Sequence, residues 1–136
     1  MNREIKFRAW DGERLRKVNT IGWGDEGVDF VTTPKYSGPA EDFRLVQYTG
    51  LKDKNGVEIY EGDIVKRTHL FNGGYGETHT GEVVYDKEYA RYVISKPQTY
   101  TEPKTEDIRN TLSDKSTYEV IGNIYENPEL LEREAE

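Results

Sequence analysis

The chain has no cysteine. No disulfide can form, and no thiolate can serve as nucleophile or metal ligand. Histidine is also scarce, with only His69 and His79 in 136 residues. A catalytic triad built on histidine therefore has little to draw on, and no serine stands in a nucleophile-elbow sequence. No apolar run approaches the roughly 20 residues that span a bilayer. The opening Met1-Asn2-Arg3-Glu4-Ile5-Lys6 carries charges where a signal peptide needs its apolar stretch. These features together lead us to expect a protein of the reducing cytoplasm with no membrane partner.

Apolar residues make up only 34% of the chain, while charged residues reach 33%. Aromatic residues offset this shortage. Ten Tyr, four Phe and two Trp supply large contact areas and argue against disorder throughout. They also exceed what one small barrel can enclose, so some should lie at the surface and mark contacts.

The formal net charge is −7, a poor starting point for sequence-independent nucleic-acid binding, which depends on neutralised phosphates. The charge is uneven. Residues Met1 to Lys17 hold six basic and three acidic side chains; Glu119 to Glu136 hold six acidic ones against Arg133 alone. The two ends can be plain solvated faces, or they can attract each other within one chain or between copies.

Periodicity two predicts strands over 5–10, 45–49, 57–60, 64–69, 81–85, 89–94 and 118–125. Asp11-Gly12 predicts a two-residue hairpin turn, with Leu15 to Ile21 returning. Between Gly22 and Ala40 only Val28 to Val31 reads as a strand. Asp53-Lys54-Asn55-Gly56 and Glu61-Gly62-Asp63 read as turns. Asn72-Gly73-Gly74-Tyr75-Gly76 reads as a loop and lacks the Lys-Ser/Thr ending of a phosphate cradle. Pro97 to Ser116 reads as a polar excursion. Asn127-Pro128-Glu129 reads as the start of a short terminal helix, with Asn as N-cap and Leu130 and Leu131 docking it. The pattern predicts a mainly β fold, an SH3-like β-barrel core with an N-terminal hairpin and a short C-terminal helix. Its apolar interior should come from Phe7, Ile59, Ile64, Val65, Val83, Val120, Ile121 and Ile124.

Three segments carry a family resemblance. They are Lys6-Phe7-Arg8-Ala9-Trp10-Asp11, then Gln47-Tyr48-Thr49-Gly50-Leu51-Lys52-Asp53-Lys54-Asn55-Gly56 continuing through Glu58-Ile59-Tyr60-Glu61-Gly62-Asp63-Ile64-Val65, and finally Val120-Ile121-Gly122-Asn123-Ile124-Tyr125-Glu126-Asn127-Pro128-Glu129-Leu130. In this order and spacing the chain resembles the YopX family of bacteriophage and prophage proteins. The resemblance implies one domain over residues 1–136, with variable loops near 19–43 and 67–116 and a tail over 126–136. It also implies a phage-derived protein with a self-associating β-barrel core. It implies no activity and no catalytic residues.

Three functional readings stay open. The leading one is a non-catalytic, self-associating binding module that takes no cofactor. Its interface or binding candidates are Arg8, Trp10, Tyr48, Tyr60 and Tyr125. Its contact is expected between the basic N-terminal hairpin and the acidic C-terminal helix of a neighbouring copy. A host or phage protein is a further possible partner. The second reading is a nucleic-acid-binding accessory protein that uses the basic hairpin, with aromatics beside cations at Phe7-Arg8-Ala9-Trp10 and Tyr89-Ala90-Arg91-Tyr92. The third is a metal-dependent enzyme with His69, Glu77 and His79 as ligands, since Glu77 and His79 share a face on a strand. No recognised metal spacing supports it. Asp11 and Asp63 read as turn residues whose carboxylates bond nearby backbone N–H groups.

Overall fold

The structure is a computed structural model that describes residues 4–71, 74–95, 105–107 and 118–135. The fold is mainly β, with a curled half-barrel sheet and a short C-terminal helix. The chain divides into two compact units, Met1–Tyr48 and Thr49–Glu136.

The first unit opens with an antiparallel hairpin of β1 (Phe7–Trp10) and β2 (Leu15–Lys17). Trp10 stands opposite Leu15, so the loop has four residues, Asp11 to Arg14, and not the two expected from Asp-Gly. It closes through the Asp11 N–H donating to the Arg14 carbonyl at 3.3 Å. Gly12 occupies the left-handed region at φ +98°, which explains a glycine here. β1 also pairs with the first part of β6 (Arg44–Lys52), Phe7 opposite Gln47 and Trp10 opposite Arg44.

The expected strand from Leu15 to Ile21 is broken in two. Val18 donates to Phe7, while Asn19 donates to Thr32, so the chain leaves one sheet for another at this step. β3 (Thr20–Gly24), β4 (Gly27–Thr32) and β5 (Ser37–Pro39) then form a three-stranded antiparallel sheet. Only part of β4 was visible as a strand in the sequence pattern. A single turn of 3-10 helix at Ala40–Asp42 leads into β6.

In the second unit, β7 (Glu58–Tyr60) neighbours β6. A five-stranded antiparallel sheet follows, built from β8 (Asp63–Phe71), β9 (Gly74–Asp86), β10 (Arg91–Ser95), β11 (Thr105–Asp107) and β12 (Tyr118–Asn123). Its spatial order is β11-β10-β9-β8-β12. Gly74 already belongs to β9, and Thr105–Asp107 pairs with β10 inside the expected polar excursion. The rest of that excursion lies outside the described residues. Ile59, Val65, Val83, Ile94 and Tyr118 form the apolar cluster of this unit, with Leu51, Tyr92 and Val120 against it.

Of the expected interior, Ile59, Ile64, Val65 and Val83 are buried. Phe7, Val120, Ile121 and Ile124 are only half-buried. On β1 the fully buried position is Ala9, two residues after Phe7. On β12 the register shifts between Val120 and Gly122, which disturbs the alternation on which the expectation rested.

The helix α1 (Glu129–Ala135) lies against β9. A Cβ on Gly122 would stand 2.9 Å from Leu130 Cδ1, so the missing side chain makes room for the helix. The Asn127 side chain points back to β12, accepting the Asn123 N–H at 3.3 Å, rather than serving as the expected N-cap.

Candidate interaction surfaces

Asp11 anchors the first hairpin. Its Oδ1 accepts the N–H groups of Glu13 at 2.8 Å and Arg14 at 3.0 Å. Its Oδ2 takes the Arg16 guanidinium, which also lies 3.6 Å from Glu13. That hydrogen bond from Arg16, with the two backbone donors, lowers the Asp11 carboxyl to about 2 against some opposition from burial. The same bond raises the Arg16 guanidinium. Lys6 pairs with Glu4 at 3.0 Å and sits over the Tyr48 ring. Part of the positive charge of the N-terminal hairpin is therefore answered inside the same unit.

Beside this turn a cleft of about 360 Å³ is lined by Trp10, Asp11, Glu41, Asp42, Phe43 and Arg44. Trp10 and Phe43 are half-buried, and Glu41, Asp42 and Arg44 are exposed. Strand pairing of β1 with β6 places Trp10 directly opposite Arg44, which explains why both reach the cleft.

Two of the expected contact residues are not available to a partner. Tyr48 and Tyr60 are buried at 5% and 3% exposure, because the inward positions of β6 and β7 took aromatic side chains into the interior. Arg8, Trp10 and Tyr125 are half-buried. Tyr125 packs over Gly62, where a Cβ would stand 3.3 Å from its ring. His69 lies in β8, and Glu77 and His79 lie in β9. Their side chains are outside the described residues, and no metal-ligand cluster is found among the residues that are described.

The exposed aromatics lie elsewhere. In the first unit Trp23 on β3 is 70% exposed, Phe30 on β4 44% and Tyr36 in the β4–β5 turn 42%. In the second unit Tyr85 and Tyr89 are exposed at the β9–β10 turn. Tyr85 meets Tyr92 edge to face at 5.3 Å, and Arg91 lies 5.1 Å from the Tyr89 ring centre. Arg91 is also held by Asp86 at 3.3 Å. The pairing of aromatic and basic residues noted in the sequence is real here, but an internal carboxylate answers its cation. Trp23 was not singled out in the sequence. Its signal was a large aromatic set among Gly, Asp and Glu, where little apolar surface is near enough to cover it.

The buried carboxylates serve the fold. Asp63 accepts the Tyr60 N–H at 2.8 Å and closes the turn between β7 and β8. Asp53 accepts the N–H groups of Asn55 and Val57 with one oxygen and that of Val120 with the other.

These features describe a mainly β protein whose well-placed carboxylates hold turns and whose exposed aromatics lie on small sheets and hairpin tips. The YopX protein family matches residues 6–132, and the chain belongs to that family. The crystal structure of protein EF1440 from Enterococcus faecalis is similar, with a TM-score of 0.65 and 28% sequence identity. That similarity covers 96% of this chain and 99% of EF1440. No curated protein matches the chain.

Proposed function

We propose that this protein is a non-catalytic, self-associating binding module of phage or prophage origin. It works in the host bacterial cytoplasm on an SH3-like barrel core, and it takes no cofactor. The observation that carries this reading is the exposure of Trp23 and Phe30 on one three-stranded sheet of the first unit, with Tyr36 exposed in its β4–β5 turn. Aromatic side chains of this size are costly to leave in water and are enriched where proteins meet. The structural use of Asp11, Asp53 and Asp63 supports the non-catalytic part, because these carboxylates are committed to backbone N–H groups.

Charge supports protein contact over nucleic acid. Residues 1–48 hold eight basic and eight acidic side chains, so the net charge of −7 falls on residues 49–136. A neutral unit meets a second copy without repulsion and offers little to a phosphate backbone. Light scattering after size-exclusion chromatography, over the micromolar range and at low and moderate salt, tests the reading. A mass at least twice that of the monomer is expected. A monomer under all conditions, or tighter binding to single-stranded DNA than to itself, would overturn it.

A further inference from the structure

We infer that the outer edge of β3 is a self-pairing edge, at which two copies join their three-stranded sheets in antiparallel fashion about a two-fold axis near Gly22. This rests on the self-association proposed above and names its contact.

The strand Thr20-Ile21-Gly22-Trp23-Gly24 is the end strand of its sheet, with β4 as its neighbour. End strands normally protect their unpaired N–H and C=O groups with charge, proline or very short length. The opposite edge, β5, has three residues and ends in Pro39. β3 has five residues with no charge and no proline, and Thr20, Trp23 and Gly24 are exposed.

The side chains are self-complementary in one register. Pairing Gly22 with its own counterpart sets Trp23 across from Ile21 of the second copy, and Ile21 across from that copy's Trp23. Residues two apart on a strand share a face. Ile21 stands opposite the fully buried Val31, so its face is the inward one; the register shift after Gly22 places its extra residue, Asp29, on β4 and not on β3, and Trp23 stands opposite Val28. In the isolated chain Ile21 is half-buried and Trp23 is 70% exposed. Each Trp23 would cover the other copy's Ile21 as a cross-strand apolar pair, twice by symmetry.

Charge at the ends of the strand fits the same register. Asp25 and Glu26 form the β3–β4 turn, and Lys17 precedes β3; all three are exposed. Antiparallel pairing carries the acidic turn of one copy past Thr20 of the other, toward its Lys17. Two copies therefore bring opposite charges to both ends of the shared strand pair.

The test uses the full chain and three proteins. Sedimentation equilibrium of the unmodified protein establishes association. Trp23→Lys should weaken it by about thirtyfold or more, the loss expected for a hot-spot Trp. Because Trp23 is exposed in the single chain, the circular dichroism spectrum of this variant should be unchanged, and its melting temperature should match that of the unmodified protein diluted below its association range. The double variant Ile21→Cys, Trp23→Cys introduces the chain's only thiols, facing each other across the proposed pair at a spacing that suits a disulfide. Mild oxidation should give a disulfide-linked dimer whose cross-links join position 21 to position 23 between copies by mass spectrometry. An unmodified protein that stays monomeric overturns both this inference and the self-association reading. An oligomer that Trp23→Lys leaves intact overturns the β3 contact alone. Cross-links that join position 21 to 21 or 23 to 23 between copies, in place of 21 to 23, overturn this antiparallel register.

Discussion

Asp53 and Val120 are 67 residues apart in the chain, yet the Asp53 carboxylate accepts the Val120 N–H at 2.9 Å. The other oxygen of the same group holds the Asn55 and Val57 N–H groups, at 2.8 and 2.9 Å. One buried side chain thus shapes the β6–β7 turn and ties it to β12. The neighbouring Lys54 N–H adds a bond to the Tyr118 carbonyl at 2.9 Å. Removing the carboxylate should cost more than an ordinary turn residue. Asp53→Ala leaves three donors without their acceptor, and each bond to a charged group contributes about 1.5–3 kcal/mol. Allowing for water reaching the freed turn, we expect a loss of about 3–5 kcal/mol in urea unfolding. Amide exchange at Val120 should also speed up. A loss under about 1 kcal/mol would show that the bridge contributes no more than a surface turn.

Asp11 should give the first hairpin a distinct response to acid. Its folded carboxyl titrates at about 2, below the ordinary 3.8, chiefly through the Arg16 hydrogen bond. A depressed folded value contributes stability above the ordinary value, and that stability is lost as pH falls from about 3.8 toward 2. Carboxyl carbon shifts in an NMR titration should place the Asp11 midpoint near 2, and Arg16→Gln should return it toward the ordinary range. A wild-type midpoint in the ordinary carboxylate range would refute the pairing.

Glu82 should behave in the opposite sense. It is half-buried on β9, and burial raises its carboxyl. A raised folded value means that stability falls as pH climbs from the ordinary carboxylate range through the raised one. Glu82→Gln should therefore raise the melting temperature at neutral pH, with the gain shrinking in acid. An equal shift at pH 7 and at pH 4 would mean that ionisation is not the cause.

Gly81 is required by close approach rather than by backbone conformation. A Cβ there would collide with Ile94 Cγ2 and lie 2.8 Å from the Ser95 carbonyl oxygen. Ile94 belongs to the apolar cluster and the second atom is backbone, so neither can move aside freely. Gly81→Ala should cost about 1–3 kcal/mol in denaturant melts. A neutral result would mean that β9 and β10 separate without penalty at this point.

Interior truncations should separate the two kinds of apolar residue on these strands. Ile59 and Ile64 are fully buried, so changing either to Ala should cost about 2–5 kcal/mol. Ile124 is half-buried and should cost less, with the difference read from paired urea melts. Equal losses at Ile64 and Ile124 would contradict the burial of these sites.

Much of the strand order was legible because alternation is a local property. The pattern Ile64-Val65 after Glu61-Gly62-Asp63 announces a turn feeding a strand, and the structure has it there. The Asp11 and Asp63 carboxylates likewise act within three residues of themselves, or five for Arg16, so their roles could be read from neighbours. The β3–β4–β5 sheet was mostly illegible. Its strands carry Gly, Asp, Pro and Ser, and pairing with one another holds them extended, with Val31 their fully buried apolar side chain.

The sequence by itself determined which residues alternate, where the chain can turn, and that the family is YopX. Tertiary structure alone decided which side of each alternation is covered. Tyr48 and Tyr60, expected among the contact residues, are buried, while Trp23 is exposed. Period two assigns side chains to two faces but does not say which face another strand or helix will shield. That choice depends on contacts between residues far apart in the chain, as between Asp53 and Val120, and no local pattern records them.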